Sequence, residues 1–199
     1  MIKAGIFDVG GVLMTHDDKE IDQDIQRTFN LSAKKVGELI QQYGTDLQSG
    51  KISEDEFIKK LSKETRTSPI VQTDLLAEGL ARTIKPQNDV RKIIKQLKRR
   101  MQLSILSNTV ASHAVVLRKE KIFEDFDHIF LSFELGYVKP DPRIYEHVLS
   151  RLNIKPEEAF FVDDRRENVL AASELGIRGF HFRSAGELIQ DLRKLHLVL

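Results

Sequence analysis

The sequence of 199 residues contains no cysteine, no tryptophan and only five prolines. Without cysteine, the chain can form neither disulfide bonds nor thiolate metal sites. It also contains no signal-like segment and no apolar run long enough to span a membrane. These absences predict a soluble, cytoplasmic protein with no membrane partner.

An excess of charge of one sign is also missing, because 31 lysines and arginines nearly balance 30 aspartates and glutamates. A formal net charge of +1 gives the protein no strong overall electrostatic attraction to nucleic acid or to a membrane surface, so we expect neither as a partner. The hydrophobic fraction of 41% is enough for a proper core. The composition therefore predicts a globular protein.

Between residues 19 and 84 the sequence shows only the pattern of helices. Apolar residues recur there at three- and four-residue spacing. The predicted helices are 20–29, 32–43, 53–63 and 73–84. Ser53 and Glu56 form the signature of a capping box, which marks the start of one of them.

After Pro86, helices and short apolar strands alternate. The predicted strands are 103–106, 128–133, 159–162 and 177–182, and the predicted helices are 89–100, 111–119, 142–152, 167–175 and a last one after Ser184. Strands separated by helices of this length imply right-handed crossovers and a parallel sheet. The apolar run 2–7 predicts a further strand of that sheet.

The helical block separates this first strand from the rest of its sheet. The sequence therefore predicts an α/β fold with a doubly wound, parallel, Rossmann-like sheet core and an inserted all-α helical cap. The core would comprise residues 1–15 and 86–199, and the cap residues 16–85.

Asp8 lies where the first predicted strand ends and a glycine turn, Gly10 and Gly11, begins. Open α/β sheets bind their ligands at the carboxyl ends of the strands. The same residues also fit a carboxylate that only caps the next segment. Asp8 is thus a candidate functional residue, and its neighbours on other strands decide between the two readings.

Polar residues follow two other predicted strands. Ser107 and Asn108 follow one strand, and Asp163 and Asp164 follow another. Lys139 stands in the segment after the strand predicted at 128–133. Ser107 and Asn108 also suit simple helix caps, and Lys139 also suits an ordinary surface position. Asp163 and Asp164 also suit helix caps, but two adjacent carboxylates repel each other and are costly without a cation. Taken together, carboxylates, a lysine and neutral donors at strand ends predict a Mg²⁺ and phosphate site.

These segments resemble the motifs of the haloacid dehalogenase superfamily, most of whose members are phosphatases. The motifs are FDVGGVL (7–13), LSN (106–108), VKPDPRIY (138–145) and FFVDDRREN (160–168), in that order. The helical insertion, with GKISEDEF at 50–57, resembles the family's helical cap. That type of cap occurs in the branch that includes small sugar-phosphate and nucleotide phosphatases.

The resemblance implies that Asp8 is a nucleophile that forms an aspartyl phosphate, which water then hydrolyses. It implies a Mg²⁺ site formed by Asp8, the carbonyl of Gly10 and Asp164. Asp163 would belong to this metal site by holding a water on the ion or by supporting its ligands.

The same resemblance assigns the phosphoryl group to a second set of residues. Lys139 would neutralise Asp8 and the phosphoryl oxygens. Ser107, the backbone of Asn108 and the amide of Gly11, directly after Gly10, would bind the remaining oxygens. Catalysis would then depend mostly on positioning and charge.

Gly10 departs from the family pattern, because most of these phosphatases have an aspartic acid there that protonates the leaving group. Glycine keeps the carbonyl and loses the acid. Three replacements are possible: a leaving group that needs little protonation, such as an anomeric sugar phosphate, a water on the metal, or another side chain. His16 and His113 are the nearest candidates along the sequence, although either residue type also occurs as an ordinary surface or cap residue.

The expected function is a Mg²⁺-dependent phosphomonoester hydrolase that acts on a small soluble metabolite, such as a sugar phosphate or nucleotide. We expect a monomer or homodimer, and Tyr43, Asp46 and Gln48 of the cap as weak candidates for substrate contacts. One alternative is a non-catalytic regulatory protein that binds a phosphate ligand. Another is a metal-free 2-haloacid dehalogenase. A phosphomutase is disfavoured, because its chemistry needs the acid that Gly10 lacks.

Overall fold

The computed structural model describes residues 1–65 and 74–197, and its elements follow in chain order. They are β1 (Ala4–Phe7), β2 (Met14–Thr15), α1 (Asp18–Phe29), α2 (Ala33–Gln48), α3 (Glu54–Thr65), α4 (Leu75–Thr83), β3 (Lys85–Pro86), α5 (Asn88–Leu97), β4 (Gln102–Ser107), α6 (Ala111–Lys119), β5 (His128–Leu131), α7 (Ser132–Leu135), α8 (Pro142–Leu152), β6 (Ala159–Asp163), α9 (Arg166–Glu174), β7 (Arg178–His181) and α10 (Ala185–Lys194). A short 3₁₀ turn, Pro156–Glu158, precedes β6.

Five parallel strands form one sheet in the order β5-β4-β1-β6-β7. All four residues of β1 are buried, because the strand lies in the middle of the sheet and is covered on both faces. Its position between β4 and β6 brings three strand ends side by side, those that precede Asp8, Asn108 and Asp164. The predicted α/β fold with a doubly wound parallel sheet is confirmed.

Helices α1 to α4 occupy the segment between β2 and β3 and bury one face each, as Ile21, Ile25 and Phe29 of α1 show. The capping box at the start of α3 is confirmed: the Ser53 amide donates to Glu56 Oε2 (2.8 Å) and the Glu56 amide donates to Ser53 Oγ (3.1 Å). No helix of the described segments is long and apolar enough to cross a membrane.

Strands β2 and β3 pair antiparallel, so the two connections to the helical segment lie next to each other. This ladder lies where the sequence predicts the boundaries between cap and core. The division into core 1–15 and 86–199 and cap 16–85 stays a prediction.

The predicted elements differ from the observed ones mainly at their ends. The predicted strand 128–133 is too long, because the chain turns into α7 at Ser132, whose hydroxyl binds the amide and carbonyl of Thr109. Helix α2 continues to Gln48 instead of ending at Tyr43, because Leu47 extends its buried face. Thr73, the predicted start of the fourth helix, lies outside the described residues.

Gly5 in β1 gives the first testable prediction. A Cβ atom there would lie 2.6 Å from Cζ of Phe160 and 3.0 Å from Cε2 of Phe7, and both rings are fully buried. We expect Gly5→Ala to lower the free energy of unfolding by about 1–3 kcal/mol, since the rings have no space to move. Denaturant unfolding followed by circular dichroism measures this.

Gly37→Ala is the matched control, because Gly37 lies on the exposed side of α2 with no heavy atom within 4 Å of its added methyl. This change should raise the free energy of unfolding by about 0.5–1 kcal/mol through helix propensity alone. Equal effects of the two substitutions would contradict the packing argument for Gly5.

Candidate active site

A buried lysine pairs with two carboxylates at the carboxyl ends of β1 and β6. Nζ of Lys139 lies 2.7 Å from Asp8 Oδ1 and 2.7 Å from Asp163 Oδ2. Lys139 is 4% exposed and Asp163 is fully buried. Buried charges of this kind persist when they are paired, and Lys139 is the partner of both carboxylates.

The position of Lys139 is fixed at both ends of the residue. Its ammonium also donates to the Leu106 carbonyl (2.9 Å). Its backbone is bound by the Asn108 side chain, which donates to the Lys139 carbonyl (2.9 Å) and accepts from the Lys139 amide (2.8 Å). The side chain of Asn108 thus positions the lysine, a role that the sequence did not indicate.

Asp163 is saturated with donors. Its Oδ1 accepts from the Arg165 amide (2.8 Å), and the Asn168 side chain donates to Oδ1 (3.1 Å) and Oδ2 (3.0 Å). Lys139 takes the remaining direction of Oδ2. Asn168 stands in the fourth motif but received no role from sequence. Its place in the first turn of α9, five residues after Asp163, is the signal that could have indicated one.

Asp164 completes an acidic cluster, because one carboxylate oxygen each of Asp8, Asp163 and Asp164 lie within 4.8 Å of one another. Asp164 is close to the glycine turn: a Cβ atom at Gly11 would lie 2.3 Å from its Oδ2. Gly11 also has a φ of +73°, so glycine is required there both for its conformation and for the space it leaves.

The glycine turn differs in one detail from the sequence-based prediction. The Gly11 amide, predicted to bind phosphate, donates to the Met14 carbonyl oxygen (2.8 Å) and is already satisfied. The Gly11 carbonyl accepts from the side chain of Gln87 (2.7 Å), another residue that the sequence did not single out. Among the described residues, the Gly10 amide has no hydrogen-bond partner and is the free donor of this turn.

The electrostatics of the cluster follow from burial. Burial, together with the charge of the nearby Asp163, raises the pKa of Asp8 to about 6, although the Lys139 ammonium lowers it. Burial and the charge of Asp163 also raise the pKa of Asp164. Although burial lowers the pKa of Lys139, the charges of Asp8 and Asp163 outweigh it and raise the pKa, so the ammonium persists.

This donor set fits Mg²⁺. Three carboxylates face one ammonium, which leaves two negative charges in excess. Carboxylate and carbonyl oxygens are the ligands that Mg²⁺ takes in proteins, together with water and substrate oxygens. A divalent cation beside Asp8 and Asp164 would balance the charge and lower the raised pKa values.

The two histidines named as candidates lie in different places. His16 is next to the glycine turn and its Nε2 lies 2.8 Å from Asp18 Oδ1; that hydrogen bond raises the pKa of His16 despite burial. His113 lies between α6 and α4, where its Nε2 binds the Leu76 carbonyl (3.1 Å), and burial lowers its pKa to about 4. His113 therefore joins two helices and is not beside Gly10.

The end of α2, the start of α3 and the loop between them lie against α7 and α6. The Gln48 carbonyl accepts from Ser132 Oγ (2.6 Å), and Glu54 Oε1 accepts from the Ser112 amide (2.8 Å). A cleft of about 640 Å³ lies between this loop and the start of α6. Tyr43 lies under the Lys60 ammonium (4.6 Å to the ring centre) and Asp46 pairs with Lys51 (3.6 Å), so both polar candidates have local partners.

A model of the haloacid dehalogenase-like hydrolases matches residues 2–176. The chain belongs to this family. The predicted family and the prediction of a hydrolase are confirmed. The first, second and fourth motifs lie at the carboxyl ends of β1, β4 and β6, whereas the third lies after α7 and runs into α8.

Two curated relatives that the chain resembles over nearly its whole length are named phosphatases. The chain is 32% identical over 198 residues to the sesquiterpene phosphatase astK of Aspergillus oryzae, with 97% of this chain and 96% of the relative covered. It is 30% identical over 207 residues to the D-ribitol-5-phosphate phosphatase of Bacteroides thetaiotaomicron, with 96% and 97% covered.

Solved structures show the same architecture. The HAD family enzyme bt-2542 from Bacteroides thetaiotaomicron, in its magnesium complex, is similar with a TM-score of 0.79 and 25% identity over 97% of this chain and 98% of that one. The L-2-haloacid dehalogenase from Xanthobacter autotrophicus is similar with a TM-score of 0.64 and 19% identity, over 96% and 82%, and this likeness concerns the fold alone.

The raised pKa of Asp8 gives a prediction for the metal-free protein. Because the folded-state pKa of about 6 exceeds the ordinary 3.8, the folded chain binds the proton more tightly, and stability is lost as pH rises through that interval. We expect Asp8→Asn in a chelator to have a higher melting temperature than the wild type at about pH 7, and this difference to shrink toward about pH 4.

Glu146→Gln, an exposed position on α8, is the control for this experiment. A melting temperature of Asp8→Asn below that of the wild type at both pH values would mean that ionised Asp8 stabilises the fold, against the prediction.

Proposed function

We propose that this protein is a Mg²⁺-dependent phosphomonoester hydrolase that acts on a small soluble phosphate ester through an aspartyl-phosphate intermediate. The observation that carries the proposal is the contact of Lys139 with both Asp8 and Asp163 beside Asp164. It supplies a nucleophile, a fixed cation and carboxylate ligands for a metal at one edge of the sheet.

In this proposal Asp8 attacks the phosphorus atom. Lys139 neutralises Asp8 and one phosphoryl oxygen, so that two anions can approach each other. Ser107, the Asn108 amide and the free Gly10 amide bind the other oxygens. The Gly10 amide takes this role in place of the Gly11 amide, which already donates to the Met14 carbonyl oxygen.

Asp8, Asp164 and the Gly10 carbonyl would hold Mg²⁺, which supplies charge neutralisation for the transferred phosphoryl group. Asp163 is assigned to the support of this site rather than to the ion, because donors already occupy both of its oxygens. Asn168 and Arg165 then fix Asp163, and Asp163 in turn fixes Lys139.

The phosphate-binding regulator is the weaker alternative. A protein that only binds phosphate has no need for a buried carboxylate whose pKa is raised to about 6. A 2-haloacid dehalogenase is also disfavoured, because the acidic cluster around Asp8 requires a cation that this metal-free chemistry does not use.

The substrate class in this proposal is a monophosphate of a small alcohol, such as a sugar phosphate or a nucleotide. The named activities of the relatives concern a sesquiterpene and D-ribitol 5-phosphate, whose alcohol parts differ widely. The cap of residues 16–85 would close over the site and select among such alcohols. A cytoplasmic location and a monomer or homodimer stay predictions.

The proposal is tested by a screen of phosphate esters with Mg²⁺ and with a chelator. We expect hydrolysis of at least one sugar or aryl phosphate with Mg²⁺ and its loss on chelation. Asp8→Asn should reduce kcat by at least about 10³-fold, since it removes the nucleophile. Steady-state release of inorganic phosphate measures both effects.

Asp164→Asn separates the metal from the nucleophile, because Asp8 and Lys139 stay in place. Because one carboxylate ligand is lost, it should raise the Mg²⁺ concentration that gives half-maximal activity. Activity that survives chelation, or that survives Asp8→Asn, would rule out the proposed mechanism. If no ester is hydrolysed but phosphate raises the melting temperature in Mg²⁺, the regulatory function is favoured instead.

A further inference from the structure

We infer that His16 is the catalytic acid and base of this enzyme, in place of the aspartic acid that related phosphatases carry at the position of Gly10. This inference rests on the proposed phosphatase function and assigns its missing proton donor.

The backbone does not require glycine at position 10. Gly10 is absent from the residues with positive φ, so any side chain could adopt its conformation. Apart from Gly10 itself and its two chain neighbours, a Cβ atom built there would have one heavy atom of the described residues within 4 Å, which is Cε1 of His16 at 3.6 Å. The imidazole thus lies against the place that an aspartic acid at position 10 would start to fill.

Asp18 orients the imidazole. Its Oδ1 lies 2.8 Å from His16 Nε2, which leaves Nδ1 as the nitrogen available for proton transfer. Asp17, and not Asp18, caps α1 by accepting from the Lys19 amide (2.9 Å), so the Asp18 carboxylate is free to bind the ring. A carboxylate on one nitrogen and a reactive group on the other is the arrangement by which enzymes orient a histidine.

Nδ1 of His16 is buried and has no hydrogen-bond partner among the described residues. A buried polar atom without a partner is uncommon in folded proteins and calls for an explanation. Nδ1 is bonded to Cε1, the atom that faces Gly10. A substrate oxygen at the glycine turn would provide the missing partner.

The other nearby histidines do not have these properties. His113 binds the Leu76 carbonyl between two helices (3.1 Å). His181 binds the backbone carbonyl of Asp164 (2.9 Å) and is exposed. Among the described residues, His16 alone combines a carboxylate partner with an unpaired ring nitrogen beside Gly10.

In the first step the Asp8 carboxylate forms a bond to phosphorus and the bond from phosphorus to the ester oxygen breaks. That oxygen keeps the bonding electron pair and takes the proton from Nδ1 of the imidazolium, so the product leaves as an alcohol. In the second step neutral His16 accepts a proton from the water that attacks phosphorus. The bond to Asp8 breaks, phosphate departs, and both side chains return to their starting states.

The test compares two substrates with one variant, His16→Gln. An alkyl phosphate needs its leaving oxygen protonated, whereas an aryl phosphate such as 4-nitrophenyl phosphate does not. General acid catalysis contributes about 10²–10⁴-fold, so we expect kcat/KM for the alkyl ester to fall by that factor. For the aryl ester we expect a fall of less than about 10-fold.

Two further variants sharpen the comparison. Gly10→Asp in the His16→Gln background should restore part of the alkyl activity, because it returns an acid to the vacated space. Asp18→Asn should lower the alkyl-to-aryl ratio less than His16→Gln, because it disturbs the orientation of the ring and keeps its nitrogens. His147→Gln is the matched control, since His147 is exposed on α8 and its ring lies edge-on to that of Phe130.

An equal fall for both esters, or no fall for the alkyl ester, would overturn the assignment of His16. Melting temperatures exclude unfolding as the cause, and if His16→Gln fails to fold, the alkyl-to-aryl ratio of Asp18→Asn decides. If the wild type hydrolyses no ester, the proposed function itself is wrong. If only the assignment of His16 is wrong, the wild type still hydrolyses esters, but His16→Gln does not affect the alkyl ester more than the aryl ester.

Discussion

The site depends on the contact of one buried ammonium, Lys139, with carboxylates from two neighbouring strands. Asp8 and Asp163 are both almost inaccessible to solvent, and the ammonium of Lys139 pairs with both carboxylates. The hydrogen bonds of Asn108 and Asn168 serve to hold the members of this trio. The central place of β1 between β4 and β6 is what brings these groups within reach of one another.

Two glycines allow close contacts near this cluster, because a side chain at either position would overlap a neighbouring residue. Gly5 lets the ring of Phe160 cross the central strand, and Gly11 lets Asp164 approach the turn after Asp8. Gly10 is different, because its backbone and surroundings would admit a side chain. The imidazole of His16 lies beside Gly10. Glycine removes an acidic side chain from this position and leaves the imidazole next to the vacant space.

Sequence patterns predicted the sheet well, because apolar strands and helix caps are local properties of the chain. Strand β1 is a short buried apolar run, and the capping box at Ser53 lies within four residues. Contacts between distant segments were not predictable in this way. The turn at Ser132 depends on Thr109, and the bond from Gln87 to Gly11 joins residues 76 positions apart.

The sequence by itself singled out the charged groups that the structure brings together: Asp8, Lys139, Asp163 and Asp164. Local pattern is enough for this, since strand ends in a parallel sheet converge. Only the tertiary structure decided which of these groups contact each other. It paired Asp163 with Lys139, occupied the Gly11 amide, and separated His16 from His113, because such distinctions depend on distances between segments that no local pattern contains.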